Sequence, residues 1–159
     1  MTSVTVIAVG NLKEGYLREG IAEYRKRISA YADCEIVELR EERIANEDHA
    51  AEIAGALNRE ADKILAAVPK GAYTVALCVE GKSLDSEGLA RLTADAVDRS
   101  GKICFVIGSS HGLSSRVKQA ADFRLSYSAL TLPHQLMRLL LLESIYRSLT
   151  IMAGKRYHK

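Results

Sequence analysis

The chain has 159 residues, of which 48% are apolar and 26% charged, and its formal net charge is +2. This length favours one domain, residues 1–159, with a core that needs no covalent staples, and the ordinary composition excludes disordered and fibrous classes. Neither a secretory signal nor an apolar run of membrane-spanning length is recognisable, and three single cysteines argue against a disulfide framework. We therefore expect a cytoplasmic protein with reduced thiols.

Strand and helix patterns alternate from one end of the sequence to the other. The predicted elements are strand 2–9, helix 16–28, strand 34–39, helix 46–68, strand 73–79, helix 85–99, strand 103–107, helix 114–121, strand 123–126 and helix 133–152. The expected N-caps of the last four helices are Asn46, Asp85 or Ser86, Ser114 and Thr131. Uninterrupted alternation of this kind predicts an α/β fold, an open parallel sheet of about five strands covered by helices.

The last helix is apolar around most of its circumference. Leu139, Leu140, Leu141 and Leu142 are consecutive, so they cannot all lie on one side. Such a helix must be buried on several faces, and in a chain this short a partner subunit is the expected second wall. A short basic tail follows Gly154 and carries a tyrosine and a histidine.

Charge is concentrated at two places in the sequence. Residues 38–62 contain eight acidic side chains and three arginines, hence a local charge of −5. Residues 132–159 contain five basic side chains and one glutamate, hence +4. A basic C-terminal region indicates a polyanionic partner, although a solvated surface accounts for the charge equally well.

Three predicted strands end in segments that suit a ligand site. In open α/β sheets, ligands bind beyond the carboxyl ends of the strands, and here these ends are residues 77–81, 108–112 and 127–132. The second segment, Gly-Ser-Ser-His-Gly, brings backbone close to a ligand, although a tight turn between strand and helix explains it as well. It is not a dinucleotide fingerprint, and no P-loop is present, so a nucleotide-binding oxidoreductase is disfavoured.

The four histidines do not form a metal motif. His49, His111, His134 and His158 have no metal-ligand spacing, so we predict no metal. Residues 108–112, GSSHG, match the G-x-S-x-G string of a nucleophile elbow, but we interpret this segment as a glycine turn and do not expect hydrolysis by a serine nucleophile.

Several segments together resemble one known family. FVIGSSHGLS, LSYSALTLPHQLMRLLLLESIYR and the terminal YHK are similar to the RlmH family of small SPOUT-class methyltransferases, and VIAVGNLKEGYLREGIAEYRKRI and VALCVEGKSLDSEGLA fit as well. The resemblance covers nearly the whole chain. The chain departs from the family pattern at Ser109, where members usually have a second glycine.

The resemblance implies a homodimer with a C-terminal trefoil knot that binds S-adenosyl-L-methionine and methylates N3 of a pseudouridine in 23S ribosomal RNA. The cofactor residues it implies are Leu77, Gly108, Tyr127, Ser128, Ala129, Leu130, Thr131 and Leu132. They fall on the three strand ends that the fold argument selects. A non-catalytic α/β RNA-binding module with the same basic tail is the alternative.

The reaction that the resemblance implies needs a positioned methyl group and help for a weakly acidic imide nitrogen. His158 and His134 are candidates for the base, Arg147 for polarising a carbonyl and Tyr157 for stacking on a base. Arg156 and Lys159 are candidates for holding RNA phosphates. Simpler roles remain open: His134 satisfies a helix start, Arg147 pairs with Glu143, and the tail is a frayed end.

Overall fold

The computed structural model describes residues 2–158. Its elements are β1 Ser3–Val9, α1 Gly15–Ile28, β2 Asp33–Leu39, α2 Ala50–Ala67, β3 Tyr73–Ser83, α3 Ser86–Ser100, β4 Lys102–Ile107, α4 Ser115–Ala120, β5 Phe123–Ser126 and α5 His134–Met152. Every element predicted from the sequence is present in the predicted order, and most boundaries agree within two residues.

The five strands form one sheet in the order β2-β1-β4-β3-β5, and all four neighbouring pairs are parallel. One apolar cluster joins the sheet to α1, α3 and α5 through residues such as Ile21, Leu89 and Leu141. A second cluster on the opposite face joins it to α2 and α4 through Ala61 and Val117. The predicted open parallel sheet covered by helices is therefore confirmed.

Strand β3 is longer than predicted. The sequence indicated a turn at residues 80–83, but the strand continues to Ser83 after a shift of register between Leu77 and Lys82. The shift brings the backbone of Gly81 against β5, where a Cβ would lie 2.8 Å from the carbonyl carbon of Arg124. A glycine is therefore required for this close approach, and a sequence pattern alone reads it as a turn.

Two of the predicted caps are confirmed, and two are wrong. The Asp85 carboxylate accepts from the Gly88 amide at 2.7 Å, and Ser114 accepts from the Arg116 amide at 3.2 Å. Helix α2, however, begins only at Ala50, because Glu52 binds the backbone amides that precede it and Asn46 caps a separate turn. Helix α5 begins at His134, and its N-cap is Pro133 rather than Thr131.

Helix α5 returns across the sheet after β5 and packs between α1 and α3. Leu141 and Leu142 are fully buried, whereas Leu139 and Leu140 are only half-buried in the single chain. Arg138 is also buried, forms an ion pair with Glu38 and donates to the Gly10 carbonyl at 3.0 Å. The start of α5 is thereby fixed beside the end of β1.

The segment between β5 and α5 crosses the carboxyl edge of the sheet. It runs from the end of the edge strand β5 to Arg138, which contacts β1 two strands beyond β3. A trefoil knot, which the resemblance implies, stays a prediction. None of the helices within residues 2–158 combines the length and the hydrophobicity that a membrane span requires.

Candidate functional site

A cavity of about 480 Å³ lies at the carboxyl ends of β3, β4 and β5. Its walls come from the three strand ends that the sequence selected, which are adjacent in the sheet. Seven of the eight predicted cofactor residues line it: Leu77, Gly108, Tyr127, Ser128, Leu130, Thr131 and Leu132. The eighth, Ala129, lies in the same loop outside the cavity wall.

The glycine turn after β4 forms one wall of the cavity. The Gly112 amide donates to the Ser109 carbonyl at 2.9 Å, and Gly112 has a φ of +85°. A Cβ at Gly108 would lie 2.3 Å from the Gly112 carbonyl oxygen, so only glycine fits there. Ser109, the departure from the family pattern, is buried and causes no backbone strain, since no residue but glycine has a positive φ within residues 2–158.

Part of the cavity rim is apolar and exposed. Val79 is 61% exposed and Leu130 is 73% exposed, although both are large apolar side chains. Both line the cavity, together with Leu132 and Met137. Exposed apolar side chains gathered around a concavity mark a binding site, because a ligand would cover the surface that water now contacts.

Two charged groups and two histidines complete the lining. Glu80 and Lys118 form an ion pair on the wall, and the Lys118 ammonium holds the pKa of the Glu80 carboxyl below its ordinary value. His111 lies half-buried 3.8 Å from Glu47. Burial lowers the pKa of His134, against the opposing effect of the Glu41 carboxylate. His134 is therefore mostly neutral at pH 7, so one of its ring nitrogens carries a lone pair.

A smaller cavity of about 190 Å³ adjoins this one, and Leu125, Ser126 and Tyr127 line both. The smaller cavity lies between the start of α3 and helix α5, and its polar lining includes Ser126, Ser144 and Arg147. Burial raises the pKa of Tyr127 to about 12. Its hydroxyl is buried without a hydrogen-bond partner among the described residues. The nearby Ser144 hydroxyl donates to the Leu140 carbonyl at 2.9 Å.

A polar cluster at the surface of α5 brings together three of the predicted catalytic residues, one from the helix and two from the tail. Glu143 accepts from Arg147 Nε at 2.8 Å and Nη2 at 2.7 Å through one oxygen, and from the Tyr157 hydroxyl at 2.8 Å through the other. Arg147 Nη1 lies 3.3 Å from His158 Nδ1, and its guanidinium lies 4.7 Å from the centre of the Tyr157 ring. We call these four residues the tail cluster. His134 is not part of it.

Up to residue 158 the tail packs against the rest of the molecule and is not a frayed end. The Tyr157 ring packs edge-on against the Tyr146 ring, with 4.7 Å between the ring centres. The centre of the Tyr146 ring in turn lies 6.2 Å from those of Tyr24 and Tyr31. Arg156, a predicted RNA contact, is exposed. Lys159, the other predicted RNA contact, lies outside the described residues.

Arg147 pairs with Glu143, as the sequence predicted. This pair was offered as an alternative to a role in the site, but it is itself part of the tail cluster. What the sequence analysis missed is that the same carboxylate also holds the tail. The four-residue spacing of Glu143 and Arg147 was visible, but the return of the tail onto this turn was not. The contributions of Lys118 and Met137 to the cavity were also missed, because no local pattern marks them.

The geometry can be set beside known proteins. The sequence profile of the family described as Predicted SPOUT methyltransferase matches residues 2–158. The chain is 44% identical over 158 residues to ribosomal RNA large subunit methyltransferase H of Clostridioides difficile, with 99% of each chain covered. It is 42% identical over 158 residues to a putative ribosomal RNA large subunit methyltransferase H of Methanococcus maripaludis, again with 99% of each covered.

Solved structures show the same fold at low sequence identity. The tRNA (m1G37) methyltransferase from Aquifex aeolicus matches with a TM-score of 0.54 and 12% identity, over 99% of this chain and 75% of that one. A probable methyltransferase from Bordetella pertussis matches with a TM-score of 0.55 and 17% identity, over 92% and 95%. With a profile match over nearly every residue and full-length relatives above 40% identity, the chain belongs to the ribosomal RNA large subunit methyltransferase H family of SPOUT methyltransferases.

Proposed function

We propose that this protein transfers a methyl group from S-adenosyl-L-methionine to N3 of a pseudouridine in 23S ribosomal RNA, working in the cytoplasm. The observation that carries the proposal is the cavity at the ends of β3, β4 and β5, with its glycine turn and exposed apolar rim. The names of the full-length relatives support ribosomal RNA as the substrate.

The cavity fits the proposed donor in size and in character. Its volume of about 480 Å³ lies within the range of small-molecule sites. Val79 and Leu130 supply apolar surface for a nucleobase, and the turn at Gly108 presents main chain without side-chain obstruction. The neutral His134 adds no positive charge to a site for a cationic sulfonium. When bound, S-adenosyl-L-methionine supplies a methyl group on a sulfonium, which leaves as a neutral thioether.

The residues of the chain must then position the base that accepts the methyl group and take up the proton that this base loses. The imide N3 loses its proton as it gains the methyl group, so the reaction needs a proton acceptor and a group that stabilises charge on the neighbouring carbonyl oxygens. We call the cavity of about 480 Å³, proposed here to hold the methyl donor, the donor cavity. Neutral His134, which lines it, is our candidate for the group that accepts the proton. Arg147 and His158 are candidates for the carbonyl oxygens.

The acceptor base is proposed to approach on the tail-cluster side. Arg147 lines the smaller cavity, which shares Leu125, Ser126 and Tyr127 with the donor cavity, so the two cavities are adjacent. Tyr157 offers an aromatic face, and Arg156 and Lys159 would contact RNA phosphates. Donor and acceptor sites would thus meet at Tyr127.

We also propose a homodimer in which α5 lies at the interface. Leu139 and Leu140 are half-buried in the single chain, Met152 on the same helix is 38% exposed, and Tyr16 on neighbouring α1 is 68% exposed. A second copy that covers α1 and α5 would bury this apolar surface. Sedimentation equilibrium should give twice the chain mass, and a monomer at micromolar concentration would contradict this part of the proposal.

The function is tested in two steps. Isothermal titration with S-adenosyl-L-methionine should show binding that the demethylated product competes for, and the purified protein with ribosomes should label one pseudouridine with a methyl group. Mapping of 23S ribosomal RNA from cells with and without the protein identifies the nucleotide. Binding of RNA without any binding of the donor would support the non-catalytic alternative instead.

A further inference from the structure

The carboxylate of Glu143 is the centre of the tail cluster. One oxygen is held by two nitrogens of Arg147, at 2.8 and 2.7 Å, and the other is held by the Tyr157 hydroxyl at 2.8 Å. Burial and this hydrogen bond raise the pKa of Tyr157, so its hydroxyl stays protonated and donates. The carboxylate thus fixes the guanidinium and the tail at the same time, and charge-assisted bonds of this kind are among the strongest in proteins.

The guanidinium in turn constrains the imidazole of His158. Arg147 Nη1 lies 3.3 Å from His158 Nδ1. A guanidinium has only donors and keeps its proton, so the contact is a hydrogen bond only if Nδ1 carries the lone pair. A neutral imidazole with its lone pair on Nδ1 carries its proton on Nε2.

We propose that Glu143 is a positioning residue that, through Arg147, holds His158 as the Nε2–H tautomer, so that His158 donates a hydrogen bond to the target base. His158 is then not the base of the reaction. Its one lone pair is engaged by Arg147, and a proton added to Nδ1 would face the guanidinium donor and add a second positive charge.

This inference rests on the proposed function for its chemical meaning. The N3–H bond of the uracil-like ring breaks as the methyl group is transferred from sulfur to nitrogen, and negative charge develops on the adjacent carbonyl oxygens. The Nε2–H of His158 would donate to such an oxygen, which stabilises the charge. The proton of N3 goes to another group, for which neutral His134 is the candidate.

The tautomer can be measured without any substrate. Imidazole nitrogen NMR of the full, nitrogen-15-labelled chain at pH 8 distinguishes a protonated from an unprotonated ring nitrogen, and His158→Gln identifies the signals of His158. We expect an unprotonated Nδ1 and a protonated Nε2 in the native chain. In Glu143→Ala we expect signals averaged between the two tautomers, because Arg147 is released. A protonated Nδ1 in the native chain, or no change in Glu143→Ala, overturns the proposal.

The chain offers a matched control for loss of a helical ion pair. Glu23 and Arg27 on α1 have the same i,i+4 spacing, with Nε 3.0 Å from the carboxylate, and Arg27 also lies over a tyrosine ring, at 5.2 Å. Within residues 2–158 this pair forms no hydrogen bond with the tail or with a histidine, although Arg27 also lies 5.9 Å from the centre of the Tyr146 ring, which packs on Tyr157. Glu23→Ala should therefore leave the His158 nitrogen signals and the methylation rate unchanged, and a change equal to that of Glu143→Ala would reduce Glu143 to a stabilising residue.

Kinetics give the functional readout. Glu143→Ala should lower kcat for methylation about a hundredfold, the effect of losing one donor to a developing oxyanion, with the KM for the donor unchanged. Glu143→Gln, which retains an acceptor for Arg147, should recover part of the rate. In the double variant Glu143→Ala/His158→Gln, the loss of kcat should be smaller than the combined losses of the two single variants, because Glu143 acts through His158. Additive losses would contradict this coupling. If the native chain shows no methylation but has the expected tautomer, the proposed function fails, whereas the positioning of His158 by Glu143 and Arg147 is supported.

Discussion

The donor cavity and the tail cluster are built in different ways. The cavity is formed by main chain and apolar side chains at the ends of three neighbouring strands, so its shape depends on sheet order and on glycine at a few positions. The tail cluster is formed by four polar side chains from one helix and the segment after it. A fold positions the first, whereas particular functional groups define the second.

The comparison suggests that binding of the donor and transfer to RNA can be disrupted separately. Backbone changes in the cavity should abolish donor affinity whatever the tail does. Side-chain changes in the tail should abolish transfer and leave donor affinity intact.

Gly108→Ala should remove donor binding altogether. The added Cβ would lie 2.3 Å from the Gly112 carbonyl oxygen, so the turn must move, with a cost of about 1–3 kcal/mol in the free energy of unfolding. Titration calorimetry should detect no binding, and urea unfolding should show the loss of stability. Gly15→Ala at the start of α1 is the control, because no atom lies within 4 Å of its added Cβ. Native donor affinity in Gly108→Ala would mean that this turn does not form the site.

Deletion of residues 156–159 should abolish methylation and leave the donor affinity within about threefold. The deletion removes Tyr157 and His158 from the tail cluster, but it removes no residue that lines the donor cavity. Calorimetry and a methylation assay on the same preparation separate the two effects. Full activity after the deletion would exclude the tail from the mechanism.

The same contrast explains which parts of the fold and the site could be predicted from the sequence. Alternation of strands and helices predicts a parallel sheet, and a parallel sheet brings the ends of β3, β4 and β5 to one edge, so most of the cavity was predictable. The tail cluster was only partly predictable. The residue types were evident, but Glu143 gains its role from the folding back of the tail, which no periodicity encodes. Gly81 was misread for a related reason, since its neighbour in space is β5.

The charge state of His134 should make stability depend on pH. Burial lowers the pKa of this imidazole in the folded chain, so the unfolded chain binds more protons in the window between the two values. The contribution of neutral His134 is present above the ordinary imidazole pKa and is lost as the pH falls below it. Urea unfolding at pH 8 and pH 5.5 should show a smaller pH-dependent loss in His134→Gln than in the native chain. An equal loss in both would mean that His134 is not buried in this way.

Tyr127→Phe should have the smallest effect, and it tests the wall between the two regions. The hydroxyl is buried, and no described residue accepts or donates a hydrogen bond to it. Removing an unsatisfied buried polar group relieves its desolvation cost, so the free energy of unfolding should stay the same or rise by about 1 kcal/mol. Donor affinity should be unchanged, because the ring remains as the wall. If the hydroxyl contacts the acceptor base, methylation should fall while donor affinity holds, and Tyr127 would then belong with the tail cluster rather than with the cavity.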